Sequence, residues 1–239
     1  MGKQNPFLFK EISRTEHWRV PEIILTQCLK HPNRKIIEFT DGPEWTFKDL
    51  KIKSLHKARI LKNLNLKAGD SLTVIIEDPK EFILYWIASN FLGVMFVALN
   101  TAVKGKGLLH QINTSKSKHV IVDNLFFDEV NDLKNNNKLD VKILNCSELK
   151  NKEIINENEV IFGKLSDNVC SMFTSGTSGP SKGVMMPNAH CVLFAIGTIE
   201  NYDLKHDHVF YISLPLFHAN GLFMQLLACI ITGAKAIIR

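Results

Sequence analysis

The sequence predicts an α/β fold built on mostly parallel sheets flanked by helices. Three observations carry this. From residue 45 onward, runs rich in β-branched residues alternate with helical segments, the pattern of parallel strands covered on both faces. The composition, 45% hydrophobic and 22% charged over 239 residues, is that of a globular chain rather than a disordered or collagen-like one. A loop dense in glycine and hydroxyl residues follows one apolar run, at the strand end where open α/β sheets bind ligands.

Each element has its own local warrant. Asp41-Gly42 reads as a hairpin turn. Residues 46–64 show a helical pattern in which Leu50, Leu55, Ile60 and Leu61 alternate with Lys48, Lys51, Lys53, Lys57, Arg59 and Lys62, a solvated helix face rather than a polyanion site. Gly69-Asp70 then leads into the strand SLTVIIE. Pro79 suits the first turn of the next helix, because its missing N–H has no partner to lose there. The run FILYWIASNFLGVMFVAL, residues 82–99, approaches the length of a membrane span. Ser89, Asn90 and Gly93 interrupt it, and VMFVALN reads as a buried strand, so the prediction is a helix running into a core strand and no membrane span.

A helix over 106–115, the strand HVIVD, a helix over 125–134 and the strand VKILN continue the alternation. Residues 134–158 are rich in Asn, Lys and Glu and read as a surface connection, with a subdomain boundary placed within 134–168. Beyond them come the strand NVCSMF, the glycine-hydroxyl loop, VMM, a helix over 188–200, the strand VFYISL, a helix over 222–230 and the strand-like AKAIIR. No internal repeat is visible.

Charge and cysteine usage narrow the class. The 29 Lys plus Arg against 24 Asp plus Glu leave a net charge of +5, and no basic cluster marks a nucleic-acid partner. Cys28, Cys146, Cys170, Cys191 and Cys229 are far apart with no C-x-x-C pair. Buried thiols in a reducing, cytoplasmic setting are expected, and no metal ligand is assigned. The amino-terminal residues lack the apolar core of a secretory signal. His206 and His208 are spaced like strand neighbours on one face, with no third ligand for zinc. His190 and Cys191, adjacent on a helix, point in different directions.

The chemistry is concentrated in Thr174-Ser175-Gly176-Thr177-Ser178-Gly179-Pro180-Ser181-Lys182-Gly183. Gly176, Gly179 and Gly183 permit backbone angles that other residues resist, so successive N–H groups can converge on an anion. The hydroxyls donate and Lys182 brings a mobile positive charge, a set suited to polyphosphate. The alternative is a flexible linker, which is seldom wedged between a core strand and another apolar segment. A Walker A loop requires G-K-[ST], whereas Lys182 follows Ser181 and precedes Gly183. No G-x-G-x-x-G opens a helix after the first strand.

FTSGTSGPSKGVMMPN, residues 173–188, resembles the signature loop of the adenylate-forming superfamily, which comprises acyl-CoA synthetases, luciferases and peptide-synthetase adenylation domains. SLPLFHANGL, residues 213–222, is similar to the segment bordering that family's acyl pocket. The order of WTFKDL, GDSLTVIIED, EFILYWIASNFLGVMFVALNT and HVIVD follows its opening subdomain, so the resemblance runs from Trp18 to Arg239. Two positions depart from the pattern. The family usually has proline where Ser181 precedes the loop lysine, and an apolar residue where Ser171 stands.

The resemblance implies an AMP-forming acid–thiol ligase, in the acyl-CoA synthetase branch and similar to carnitine and crotonobetaine CoA ligases. Its substrates and cofactors would be ATP, Mg²⁺, CoA and a small-molecule carboxylate. It implies that Thr174, Ser175, Gly176, Thr177, Ser178, Gly179 and Lys182 contact ATP phosphates, Lys182 with a catalytic role. It also makes His218 a second candidate catalytic residue, at the junction of acyl pocket and nucleotide and without the role of a base; a structural histidine capping the following helix is the competing reading. Family members are roughly twice as long, so residues 18–239 are expected to form an incomplete AMP-binding domain, inactive alone, with the carboxyl-terminal domain absent. A peptide-synthetase-like adenylation domain and a non-catalytic nucleotide-binding module remain alternatives.

Overall fold

The computed structural model describes residues 5–137, 139–151, 153–174 and 180–239. They divide into two compact units: one holds the chain up to Ser54 with Phe162–Asp167 and Pro187–Arg239, the other Leu55–Ile161 and Asn168–Met186.

The first unit has helix α1 (Val20–Lys30) and strands β1 (Lys35–Phe39) and β2 (Glu44–Thr46), antiparallel about the turn at Asp41-Gly42. Helix α2 (Phe47–Asn63) begins here and crosses into the second unit. The second unit continues with β3 (Ser71–Ile75), α3 (Pro79–Phe91), β4 (Met95–Ala98), α4 (Gly105–Ser115), β5 (His119–Val122), α5 (Asn124–Asn137), β6 (Lys142–Asn145), β7 (Asn168–Phe173) and β8 (Gly183–Pro187). The chain then returns to the first unit with α6 (Asn188–Tyr202), β9 (Val209–Ile212), a π-helical stretch (Asn220–Leu227), α7 (Ala228–Thr232) and β10 (Lys235–Ile238).

The predicted alternation is therefore present, but it builds two sheets. One runs β6-β5-β3-β4-β7-β8, with parallel pairing from β6 through β7. The other runs β2-β1-β10-β9 and is mixed, since β1 is antiparallel to β2 and parallel to β10. The register of Ile37 against Ala236 joins strands from opposite ends of the chain, a pairing that local periodicity does not encode.

The core of the second unit follows from the apolar run at 82–99. Asp78 caps α3 by accepting from the Lys80 amide, and Pro79 occupies the first turn as its missing N–H requires. Trp86, Tyr85 and Phe91 are fully buried, and Gly93, at φ +66°, releases the chain into β4. Among the described residues no helix is long and apolar enough to cross a membrane.

The basic face of α2 is paired as well as solvated. Lys57 lies 2.6 Å from Glu81 and over the Tyr85 ring, Lys62 meets Glu159, and Lys53 lies over Trp45. All five cysteines are buried, and none is in a disulfide. The Cys146 thiol donates to Asp123 Oδ1 at 3.1 Å, and burial, reinforced by that carboxylate, pushes its pKa up to about 12.

In the first unit the amino-terminal segment is fastened under the α7–β10 turn. Gln27, fully buried, donates to the carbonyls of Phe7, Ile230 and Ile231, and Arg34 donates to those of Gly233 and His206. Gly233 adopts φ +73°, and a Cβ there would meet Phe7 Cβ at 2.4 Å, so only glycine closes this turn.

Candidate functional site

Strand β7 delivers Thr174 at the carboxyl end of the parallel sheet, and β8 takes the chain back from Lys182. Ser175, Gly176, Thr177, Ser178 and Gly179 lie outside the described residues. What is described is how the two ends of the loop are joined. The Thr174 amide donates to the Lys182 carbonyl at 3.0 Å, and the Lys182 amide donates to Thr174 Oγ1 at 3.1 Å. Because Oγ1 is thereby used as an acceptor, the Thr174 hydroxyl proton is left to donate elsewhere. Both residues are exposed. Among the described residues the Lys182 ammonium has no ion-pair partner, and its backbone is joined to Thr174 at the carboxyl end of β7, the strand end at which open α/β sheets bind ligands.

The sequence reading of Gly183 needs correcting. Its φ is not positive, so the turn does not require glycine there. The reason is closeness: a Cβ on Gly183 would stand 3.1 Å from Ser171 Oγ and 3.5 Å from Phe173 Cζ. Ser171, one of the two departures from the family pattern, is buried beneath the loop's exit.

Helix α4 supplies residues that no motif singles out. The His110 ring nitrogen Nε2 lies 2.9 Å from the Ser181 carbonyl, and Gln111 Nε2 donates to Ser181 Oγ at 3.2 Å. Ser181 Oγ in turn donates to the Thr174 carbonyl at 2.5 Å. Gln111 is buried, and its carbonyl oxygen has no partner among the described residues. The one sequence signal was the amphipathic pattern of GLLHQINTS, which explains burial but not the hydrogen bonds.

His218 belongs to the other unit and sits in the turn between β9 and the π-helical stretch. It is exposed, and its ring lies 4.7 Å from that of Phe217 at 58°. Its backbone N–H donates to the Pro215 carbonyl, and its carbonyl accepts from Leu222. The helix that follows has no side-chain cap, so a capping histidine is not what the structure shows. Gly221 explains the rest of the motif: a Cβ there would meet the carbonyl oxygens of Pro215 and Leu214 at 2.8 and 2.9 Å, so the turn folds directly onto this position.

The predicted helix over 222–230 is π-helical over Asn220–Leu227 before continuing as α7. Such windings recur at functional sites, and a run that is apolar but for Gln225 gives no sign of them. His206 and His208 are not strand neighbours; they lie in the turn before β9, where His208 Nδ1 accepts from the Lys205 amide at 3.4 Å. Among the described residues, no group of three His, Cys, Asp or Glu side chains gathers in a way that could hold a metal.

A family model described as AMP-binding enzyme matches residues 24–239. The chain belongs to this family. The fold agrees with that of the o-succinylbenzoate CoA synthetase from Bacillus subtilis in complex with its acyl-adenylate intermediate, at a TM-score of 0.81 and 24% identity, over 91% of this chain and 55% of that one. The 2-succinylbenzoate–CoA ligase of Oceanobacillus iheyensis is 29% identical over 212 residues, 89% of this chain and 42% of that protein. Long-chain fatty acid transport protein 6 of Mus musculus is 23% identical over 241 residues, 95% of this chain and 39% of that protein. The chain thus spans about two fifths of the length of these curated relatives.

Proposed function

We propose that this AMP-binding chain carries the ATP-phosphate site of an AMP-forming acid–thiol ligase. In that reaction a carboxylate oxygen attacks the α-phosphorus of ATP, pyrophosphate leaves, and the resulting acyl-adenylate passes its acyl group to the thiol of CoA with release of AMP. The observation that carries the reading is the junction of Thr174 and Lys182 at the carboxyl end of β7, which joins a hydroxyl donor to a lysine whose ammonium has no ion-pair partner among the described residues. Charge accumulating on the leaving pyrophosphate is stabilised by donors already in place, and Thr174 and Lys182, fastened to each other where the loop begins and ends, are such donors. In this proposal Lys182 and Thr174 contact the β- and γ-phosphates together with Ser175, Gly176, Thr177, Ser178 and Gly179.

His218 is proposed to face the carboxylate and not to act as a general base; its replacement should alter which acids are used more than it alters ATP binding. Mg²⁺ is expected to enter with ATP, whose phosphates carry much of its coordination. The described residues offer no acidic cage for it, and no residue of this chain is assigned as its ligand.

Residues 18–239 are read as belonging to one AMP-binding domain, with the subdomain boundary within 134–168. The acid is proposed to be small or medium-sized. Carnitine or crotonobetaine rests only on the likeness of the opening half and of PLFHANGL, while the relatives named above include 2-succinylbenzoate–CoA ligases. A cytoplasmic setting fits the five buried thiols, none of them in a disulfide.

Calorimetric titration with MgATP tests the phosphate site directly. Lys182→Ala should weaken binding about ten-fold or more, the loss of a charge-assisted contact. Unchanged affinity would remove Lys182 from the site. Carboxylate-dependent exchange of labelled pyrophosphate into ATP by the ligase would separate catalysis from a module that merely holds nucleotide.

A further inference from the structure

We propose that Ser181 is a positioning residue whose hydroxyl locks the two ends of the phosphate loop to each other and to helix α4; the proposal rests on the phosphate reading above. Around this hydroxyl the polar contacts close into a ring. Its proton goes to the Thr174 carbonyl at 2.5 Å, and its oxygen accepts from Gln111 Nε2 at 3.2 Å. The Ser181 carbonyl lies 2.9 Å from His110 Nε2, which donates when it carries the proton. The reciprocal Thr174–Lys182 bonds, at 3.0 and 3.1 Å, complete it.

Ser181 thus contacts both sides: Thr174 at the loop's entry and α4 beneath its exit. Without its hydroxyl the Thr174 carbonyl loses this donor, and Gln111, buried with its own oxygen already unpartnered among the described residues, loses the acceptor for its amide. Such a loss relaxes the entry and exit strands relative to each other. The Lys182 amide then no longer holds Thr174 Oγ1 in the orientation that turns its proton outward.

The same geometry accounts for a departure from the family pattern. The usual residue here is proline, which stiffens a loop by fixing φ and removing an N–H. Serine has neither property. Its hydroxyl supplies the constraint instead, through hydrogen bonds that proline cannot make.

The test is MgATP affinity of the full chain by calorimetry, with thermal melts read in parallel. Ser181→Ala should weaken binding about five-fold, the effect of one ordinary hydrogen bond, and lower the melting temperature by a few degrees as the buried Gln111 amide loses its acceptor. Ser181→Thr, which keeps the hydroxyl, should bind within about two-fold of the parent. Gln111→Met, which keeps bulk and removes the donor, should weaken binding in the same direction. The double variant should lose less than the product of the single losses, because both act through one hydroxyl. If Ser181→Ala fails to fold, Gln111→Met carries the same readout.

Parent-like affinity in both Ser181→Ala and Gln111→Met, while Lys182→Ala binds weakly, would overturn the lock and leave the phosphate site standing. Equal losses in Ser181→Ala and Ser181→Thr would also overturn it. Unchanged binding in Lys182→Ala would instead remove the reading on which the lock depends.

Discussion

Replacing Asn188 by alanine should destabilise the unit containing α1 and α6 by about 2–4 kcal/mol. Asn188 ends the loop signature in sequence, yet its side chain is buried, at 1% exposure, and works as a staple. Its Oδ1 accepts from the Val20 amide at 2.8 Å and its Nδ2 donates to the Lys164 carbonyl at 2.9 Å. Val20 opens α1, where the first amides have no partner within the helix, and Val20 is itself fully buried. Orphaning that donor costs roughly 1–3 kcal/mol, whereas the carbonyl of exposed Lys164 can take water and loses only about 1 kcal/mol. The backbone bond from Asn188 to the Asp167 carbonyl, 3.0 Å, survives the change. Urea unfolding reads the free energy, and amide exchange reads the site: protection at Val20 should fall ahead of that in β3 or β4. A loss below about 0.5 kcal/mol with Val20 still protected would refute the staple.

Two further outcomes follow from the same structure. Gly221→Ala should disturb the 214–221 turn and lower stability by about 1–3 kcal/mol, because the added methyl meets two backbone oxygens that are not free to rotate away; a parent-like urea midpoint would show that the turn yields. Stability should also fall as pH drops below about 6.5, the ordinary histidine value. Burial, aided by the cation of Lys142, lowers the pKa of His119 in the fold, and burial with Lys30 and Lys10 lowers that of His31. The unfolded chain therefore takes up protons first; the contribution is complete above the unfolded value and is lost as pH falls toward the folded one. His119→Gln should shrink the difference between urea midpoints at pH 7.5 and 5.5, and an undiminished difference would exclude His119 as a source.

Local elements were legible because each carries its cause in neighbouring residues. Pro79 and Gly93 bracket the passage from α3 to β4, and the boundaries of β7 coincide with NVCSMF. The partition into two sheets was not legible, since the pairing of β1 with β10 depends on residues nearly the whole chain apart. Residue type marked Thr174 and Lys182 as candidates, and the family resemblance marked His218. Nothing marked His110, Gln111 or Asn188, whose roles arise from where α4 and α6 are placed and not from any spacing. The π-helical winding at Asn220–Leu227 was hidden for a related reason: an apolar stretch fits either period.

The two motif blocks also show what a glycine in a signature means physically. Gly183 invited an explanation from backbone freedom, yet neither it nor Gly221 has a positive φ. Each is a point of contact: Gly183 over Ser171 and Phe173 at the loop's exit, Gly221 under the carbonyls of Leu214 and Pro215. A side chain at either place would displace the segment bearing Lys182 or His218. The departure at Ser171 then becomes intelligible. Its short side chain lets β8 begin 3.1 Å above it, measured to a Cβ that Gly183 does not have. A bulkier apolar residue at 171 would press on that exit, so Ser171 and Gly183 form one packing unit and constrain each other's replacement.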